Sequence, residues 1–413
     1  MNLISRTNKQ TKIVKTIILF FFLFFSFQIS VRAAVNCSSL TNSGTVTISW
    51  TDSYCFFGQP GNASNTSGAA DDATYTNNGT ISLRYRNVRG FYNGFDNTKM
   101  INNGTIESNA QHRYGYQSAF HDEGDDGESI NNGTINLDYG ASGGNGNNGA
   151  FRMNIGSGQS FTNSNGASVT VIGSNGNPGG LIQSDNTTVT NNGTFTIGGN
   201  GTTQKAIRYY DTADGQTLIN TGTITQSGST DAILNEGTNA VITNTGTING
   251  AVYDINNTGT ITTLENDQGG NDALIYDGVV PTNYNVIVNS ASDFGKITFN
   301  GTETGTMSFG IKSGSTVGKR TYSGVLQSLA EARLSSKTGT FGSYKWTLEE
   351  NGSGTWDMVI ANARTGYKVR IKKAKLSSIA TLLESFNTNG KKSTLTTNLD
   401  SLSDAALEKA LKQ

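Results

Sequence analysis

From about residue 41 to residue 263, apolar residues come in short bursts that skip every second position. Val46 and Ile48, Ile81 and Leu83, Ile135 and Leu137, and Phe195 and Ile197 are examples. A period of two puts one side of the chain inward and the other outward, so each burst predicts a short β-strand. Each is introduced by the same polar cluster, Asn-x-Gly followed by Thr and then Val, Ile or Phe. Its glycines are Gly44, Gly79, Gly104, Gly133, Gly193, Gly222, Gly246 and Gly259, preceded two positions earlier by Asn42, Asn77, Asn102, Asn131, Asn191, Asn220, Asn244 and Asn257. A degenerate copy, "FTNSNGASVTV", surrounds Gly166, and the steps between glycines are then 35, 25, 29, 33, 27, 29, 24 and 13 residues. Self-similarity near this period marks a solenoid, in which each repeat buries its apolar side only against its neighbours.

The Asn-Gly pair suits a sharp bend, because both residues tolerate left-handed backbone angles. A hairpin also favours Asn-Gly, but a hairpin does not require the cluster to return once per coil. A second signal, a small residue followed by an apolar one, lies 9 to 15 residues before most of these glycines: Gly94-Phe95, Ala119-Phe120, Ala150-Phe151, Ala206-Ile207 and Ala232-Ile233. Two or three strands per period, separated by corners, predict the coil of a parallel β-helix. Stacked at ~4.8 Å, eight or nine coils would give a body about 40 Å long, with each Asn above its equivalent in a side-chain ladder.

The Asn-Gly-Thr cadence stops near Tyr276. "NYNVIVNSASDFGKITFNGTETGTMSFGIKSGSTVGKRTYSGVLQSL" leads into "TGTFGSYKWTLEENGSGTWDMVIAN", with alternating pairs such as Val286/Val288 and Met307/Phe309 before Trp346 and Trp356. This run resembles the autochaperone or cap segment that closes the passenger of an autotransporter (type V secretion), and the Asn-x-Gly-Thr coils resemble passenger coils of that family. The resemblance implies an all-β chain: a right-handed parallel β-helix with a β-rich C-terminal cap and a short helical tail. Residues 35–275 would be the helix repeats and 276–362 the cap, with a basic linker and amphipathic helices over 363–413. It also implies a partner outer-membrane β-barrel, in cis or separate. "AKLSSIATLLESF" places Leu376, Ile379, Leu383 and Phe386 on one helical face, and "SLSDAALEKALKQ" repeats the pattern with Leu402, Ala406, Leu407 and Ala410. Eight basic residues between Arg364 and Lys392, against the single acid Glu384, form a patch suited to anionic lipid or to plain solvation.

At the other end, Arg6, Lys9, Lys12 and Lys15 precede the apolar run "TIILFFFLFFSF", followed by the small residues Ala33 and Ala34. That order predicts a signal peptide over 1–34 and a mature chain exported through the inner membrane, destined for the cell surface, the outer membrane or the medium. The run is too short to span a bilayer comfortably. Cys37 and Cys55 are the only cysteines, and in an exported chain they are expected to pair. A net charge of −1 with 15% charged residues argues against a general nucleic-acid partner.

The search for chemistry returns little. "HDEGDDGES" gathers Asp122, Glu123, Asp125, Asp126 and Glu128 beside His121, in what reads as an exposed corner loop, and lacks the EF-hand pattern. "GASGG" at Gly140–Gly144 matches a nucleophile elbow by letters alone, and His112 and His121 form no zinc motif. The expectation is a non-catalytic chain with no cofactor and no metal. A carbohydrate-active β-helix enzyme, a lyase or hydrolase, is the alternative. Arg84, Tyr85, Arg89, Phe91 and Tyr92, with Arg113, Tyr114 and Tyr116 on the next coil, form the candidate contact surface. These residue types stack on and fork around sugars or proteins, so the expected partner is a host-surface protein or glycan and the expected role that of an adhesin or structural spacer.

Overall fold

The structure is a computed structural model that describes residues 34–35, 37–48, 53–62, 64–85, 87–108, 117–139, 149–173, 179–198, 204–270, 272–300, 302–362, 376–388, 399 and 404–412. The predicted signal peptide before Ala34, the basic residues from Arg364 to Lys392, Leu402, His112 and the Gly140–Gly144 run lie outside these. No helix among the described residues is long and apolar enough to cross a membrane.

The bursts of alternating residues are strands, and they pair in parallel with their equivalents one period away. Thr74–Asn77 lies between Thr41–Asn42 and Lys99–Asn102, and the pairing aligns Asn42, Asn77 and Asn102. Three long sheets result, of 15, 12 and 8 strands. One turn of the chain runs along the first sheet (Val88–Asn93), the second (Lys99–Asn102) and the third (Thr105–Ser108), then re-enters the first at Gln117–Asp122. This is a parallel β-helix.

The core runs the length of the stack as columns of like residues. Phe56, Phe91 and Phe120 stack with ring centroids 4.7 and 4.9 Å apart, and Phe151 lies on Phe161 at 4.0 Å. In the first sheet two consecutive residues point inward: Ala119 and Phe120, Ala150 and Phe151, Ala206 and Ile207, Ala232 and Ile233 all belong to the core. A small residue at the first position makes this arc in the backbone feasible. The equivalent pair one coil earlier is Gly90-Phe91, aligned with Phe120, rather than the Gly94-Phe95 expected from the letters.

At the corner between the second and third sheets the asparagines form an unbroken ladder. Nδ2 of each donates to Oδ1 of the next: Asn42 to Asn77 (2.7 Å), Asn77 to Asn102 (2.7 Å), Asn102 to Asn131 (2.8 Å) and Asn131 to Asn163 (2.9 Å). It continues from Asn163 through Asn191 and Asn220 to Asn244 at 2.8 Å per link, and ends on Asn266 at 3.1 Å. Every amide thus satisfies a buried neighbour that water cannot reach.

Three expectations at this corner need correction. The repeat glycines do not adopt left-handed angles. Glycine is needed because a Cβ on Gly104 would stand 2.0 Å from the carbonyl oxygen of Gly79, and one on Gly133 equally close to that of Gly104. In the degenerate copy, Asn163 holds the ladder place and Ala167, not Gly166, holds the glycine place, since its carbonyl accepts from Thr194 N as Gly79's does from Thr105 N. Asn165 and Gly166 are a two-residue insertion. Asn257, finally, is in the first sheet, aligned with Asn235, which donates to it at 2.7 Å. The 13-residue step was a change of corner, because the same letters serve both bends.

The third sheet ends at Thr247–Asn249, yet the stack does not stop there or at residue 275. Coils with only the first and second sheets continue in parallel through Leu274–Gly278, Asn283–Val286, Ile297–Phe299 and Met307–Ile311 to Leu334–Ser336. Thr338–Phe341, Tyr344–Glu350 and Trp356–Asn362 pair antiparallel, and they close the first sheet through the pairing of Trp356–Asn362 with Thr321–Gln327. Trp356 is buried there and its Nε1 donates to Leu329 O at 2.8 Å.

The helices Ser377–Thr388 and Asp404–Ala410 share a small separate cluster of Leu376, Ala380, Leu383, Leu399 and Leu407. Ile379, expected on the buried face, is 38% exposed, because Ala380 takes the inward place.

At the first coil Cys37 and Cys55 are bonded, closing a separation of 18 residues, with Cys37 N donating to Cys55 O at 3.0 Å. Replacing both cysteines by alanine should lower stability by about 3 kcal/mol, the entropy of a loop this size. A shift of the urea midpoint measures it, and an unshifted midpoint would show the bond to be dispensable.

Candidate functional site

The first-sheet side chains that face away from the core also form columns, in which Arg89, Tyr92, Arg152 and Arg208 are partly exposed and Tyr54, Phe57, His121 and Leu181 are buried, and the candidate site is the N-terminal half of that face. Register aligns Tyr54 with Arg89, and Phe57 with Tyr92, His121, Arg152, Leu181 and Arg208. Tyr92 lies 5.3 Å from both Tyr54 and Phe57 by ring centroid, and 4.9 Å edge-on from His121. The Arg89 guanidinium stands 5.5 Å from the Tyr54 and Tyr92 rings alike, in cation–π range.

Below this aromatic group sits a carboxylate. Tyr92 Oη donates to Glu123 Oε2 at 2.6 Å, and His121 Nε2 lies 3.0 Å from Glu123 Oε1, close but not aligned as a linear hydrogen bond. His121 Nδ1 has no partner among the described residues. Burial pushes the His121 imidazole down to about 4 against the pull of Glu123, so it is neutral at physiological pH. Burial raises Glu123, but the close approach of His121 and the hydrogen bond from Tyr92 outweigh it and bring the carboxyl to about 2. Burial first, and then the bond to Glu123, raise the Tyr92 phenol. The group is therefore a fixed anion beside a neutral imidazole and a protonated phenol.

Farther along the face, Arg152 Nη2 donates to Gln183 Oε1 at 3.0 Å, and Lys205 pairs with Asp231 at 2.8 Å. Arg208 pairs with Glu236 at 2.8 Å while its guanidinium covers Tyr210 at 4.1 Å. The result is a stripe of aromatic rings and paired charges at one-coil spacing. Flat rings with forked donors and fixed acceptors are what an elongated polar polymer such as a glycan would need.

Of the expected contact residues, the structure brings Arg89 and Tyr92 together on this stripe. Phe91 is not on the surface: it is fully buried in the phenylalanine column, because the inward arc at Gly90 turns it into the core. Arg84 is drawn to the third sheet by Glu107 at 2.9 Å, and Tyr85 packs partly buried against the core. Arg113, Tyr114 and Tyr116 lie outside the described residues.

The acidic run is not one exposed loop either. His121 and Asp122 are buried strand residues, Glu123 is half-buried, and only Asp125 and Asp126 are exposed in the turn. Sequence reasoning missed Tyr54 and Phe57, and read His121 and Glu123 as part of an exposed acidic corner rather than as neighbours of Tyr92. Aligning "SYCFFG" with "VRGFYN" and "QSAFHD" by strand register would have exposed all but Glu123, the residue just after the aligned strand. Among the described residues no three His, Cys, Asp or Glu side chains are placed to hold a metal ion. Comparison with known proteins adds no relative: no family model, curated protein or solved structure matches the chain.

Proposed function

We propose that the chain is a passenger of autotransporter type, surface-displayed or secreted, and that it acts as a non-catalytic adhesin or structural spacer whose outward first sheet meets the ligand. The observation that supports this most is the aromatic and cationic stripe held at fixed spacing on a long, laddered stack. The basic and apolar N-terminal sequence and the Cys37–Cys55 bond favour export. The partner class is a host-surface protein or glycan, with an outer-membrane β-barrel as anchor and anionic lipid as a second contact for the basic residues near the C-terminus.

Binding of the mature chain to a glycan array and to host cells tests this. Changing Arg89 and Tyr92 to alanine should weaken binding about tenfold or more, since stacking and cation–π contacts of this kind contribute on the order of 1–2 kcal/mol. Equal binding by the double variant would remove the stripe from the account. Failure of both proteins to bind anything would leave only the spacer role.

The rival reading, a carbohydrate-active enzyme, gains from one feature: the His121, Glu123 and Tyr92 group. Turnover of a polysaccharide panel that vanishes in His121→Ala would replace the adhesin reading.

A further inference from the structure

Asparagine followed by glycine is the sequence most prone to lose its side-chain amide, because glycine leaves the following nitrogen unshielded. Asn78-Gly79, Asn103-Gly104 and Asn132-Gly133 repeat this pair on the stack. There, however, the second asparagine of each corner enters a ladder of its own. Asn103 Nδ2 donates to Asn78 Oδ1 at 2.8 Å, Asn132 Nδ2 to Asn103 Oδ1 at 2.9 Å, and Ser164 Oγ to Asn132 Oδ1 at 2.6 Å. The glycines are also enclosed: Gly104 and Gly133 each have a neighbouring rung's carbonyl oxygen 2.0 Å from the place of a Cβ. Swinging the asparagine Cγ onto the glycine nitrogen would break the ladder and displace the corner.

The inserted pair differs on every count. Ser164 occupies the outer-ladder place, which pushes Asn165 and Gly166 out of the column. Both are exposed, and Gly166, at φ +79°, has no atom within 4 Å of its Cβ position. Asn165 makes no side-chain hydrogen bond among the described residues. The other pairs that fall wholly among the described residues are restrained: Asn192 Oδ1 accepts from Thr221 Oγ1 at 2.8 Å, Asn93 is buried and bonded to Asp122, Gly250 N donates to Asp254 Oδ1 at 2.8 Å, and Asn351 is held by Asp357 at 3.2 Å.

We propose that Asn165 is a site of spontaneous modification in the folded protein, where the laddered corners are protected. The Gly166 nitrogen gives up its proton to solvent base and attacks Cγ of Asn165. The bond from Cγ to the amide nitrogen breaks, ammonia leaves, and a five-membered succinimide closes. Water then opens the ring at either carbonyl to aspartate or isoaspartate. The insertion lies outside both ladders, so the added charge and the longer isoaspartyl backbone leave the stack intact. An exported molecule would thus carry a chemical record of its age on a neutral corner.

The test is peptide mapping by mass spectrometry, with isoaspartate detection, of the intact protein held in warm, mildly alkaline buffer. Asn165 should convert about tenfold faster than Asn103 and Asn132, the factor that two net hydrogen bonds supply. In urea the three rates should converge, because the ladder is gone. A variant lacking residues 165 and 166 should keep the parent's circular dichroism and show no early isoaspartate in the peptide that spans this corner. Native rates at Asn165 no greater than those at Asn103 and Asn132 would overturn the proposal, as would rates in urea that keep the native order.

Discussion

Asp122→Asn should stabilise the protein by up to roughly 4 kcal/mol at pH 8 and have little effect near pH 4. Asp122 occupies the inward position after His121, in register with Asn93 on one side and Met153 on the other. Its Oδ1 accepts from Asn93 Nδ2 at 2.9 Å and from Gly124 N at 3.3 Å. Its Oδ2 has no hydrogen-bond partner among the described residues, because Met153 offers no donor on the next rung. Burial is the dominant cause that drives the carboxyl up to about 7, ahead of the hydrogen bonds that oppose it. The group thus holds its proton more tightly folded than unfolded. Its contribution is intact below the ordinary value of 3.8 and is lost as pH rises from there through about 7. That interval corresponds to roughly 4 kcal/mol. An amide keeps the acceptor, needs no proton and cannot charge, so the variant's stability should be flatter from pH 4 to pH 8. Urea unfolding at several pH values measures this, and parallel curves for parent and variant would refute it. Gly127 sets the room available: a Cβ there would fall 2.0 Å from Asp122 Oδ2.

Asn131→Leu should be the most damaging single change in the stack, at roughly 3–5 kcal/mol. The side chains are close in volume, so the cost is polar. Asn131 accepts from Asn102 and donates to Asn163, and its Nδ2 also lies 3.1 Å from Ser168 O. Leucine leaves Asn102 short of an acceptor and Asn163 and Ser168 short of a donor, all inside a wall closed to water. Each buried group so stranded costs about 1–3 kcal/mol. The same exchange at Asn42, where the ladder begins and only one link is lost, should cost less than half as much. Equal losses at both positions would mean that the amides act singly rather than as a chain. Unfolding midpoints for the pair of variants decide it.

How much of this was legible beforehand follows from what each residue contributes. The ladder could be read because Asn, Gly and the alternating Val, Ile and Phe all repeat for the same reason, the stacking of one rung on the next. Asn163 was harder, since two extra residues shift its glycine. Asn257 was misplaced because an Asn-x-Gly bend looks identical at either corner, and only strand register separates the two. The two-sheet coils after Gly259 carry no further Asn-x-Gly-Thr cluster, so their letters read as a cap although their pairing is still parallel. The site was less visible than the fold. Phe91 and Tyr92 are adjacent aromatic residues with opposite fates, decided by an arc at Gly90 that composition does not announce. His121 and Glu123 are brought to Tyr92 by parallel register across about 30 residues of chain, a relation that no local motif encodes.

The loss of the third sheet at Asn249 has a mechanical consequence. A rod with a triangular section resists lateral load in every direction, whereas a two-walled section is stiff across its plates and compliant along the hinge between them. Pushed sideways at its tip, the molecule would flex at that waist first, so the aromatic stripe would travel as one rigid piece while the C-terminal third absorbed the strain.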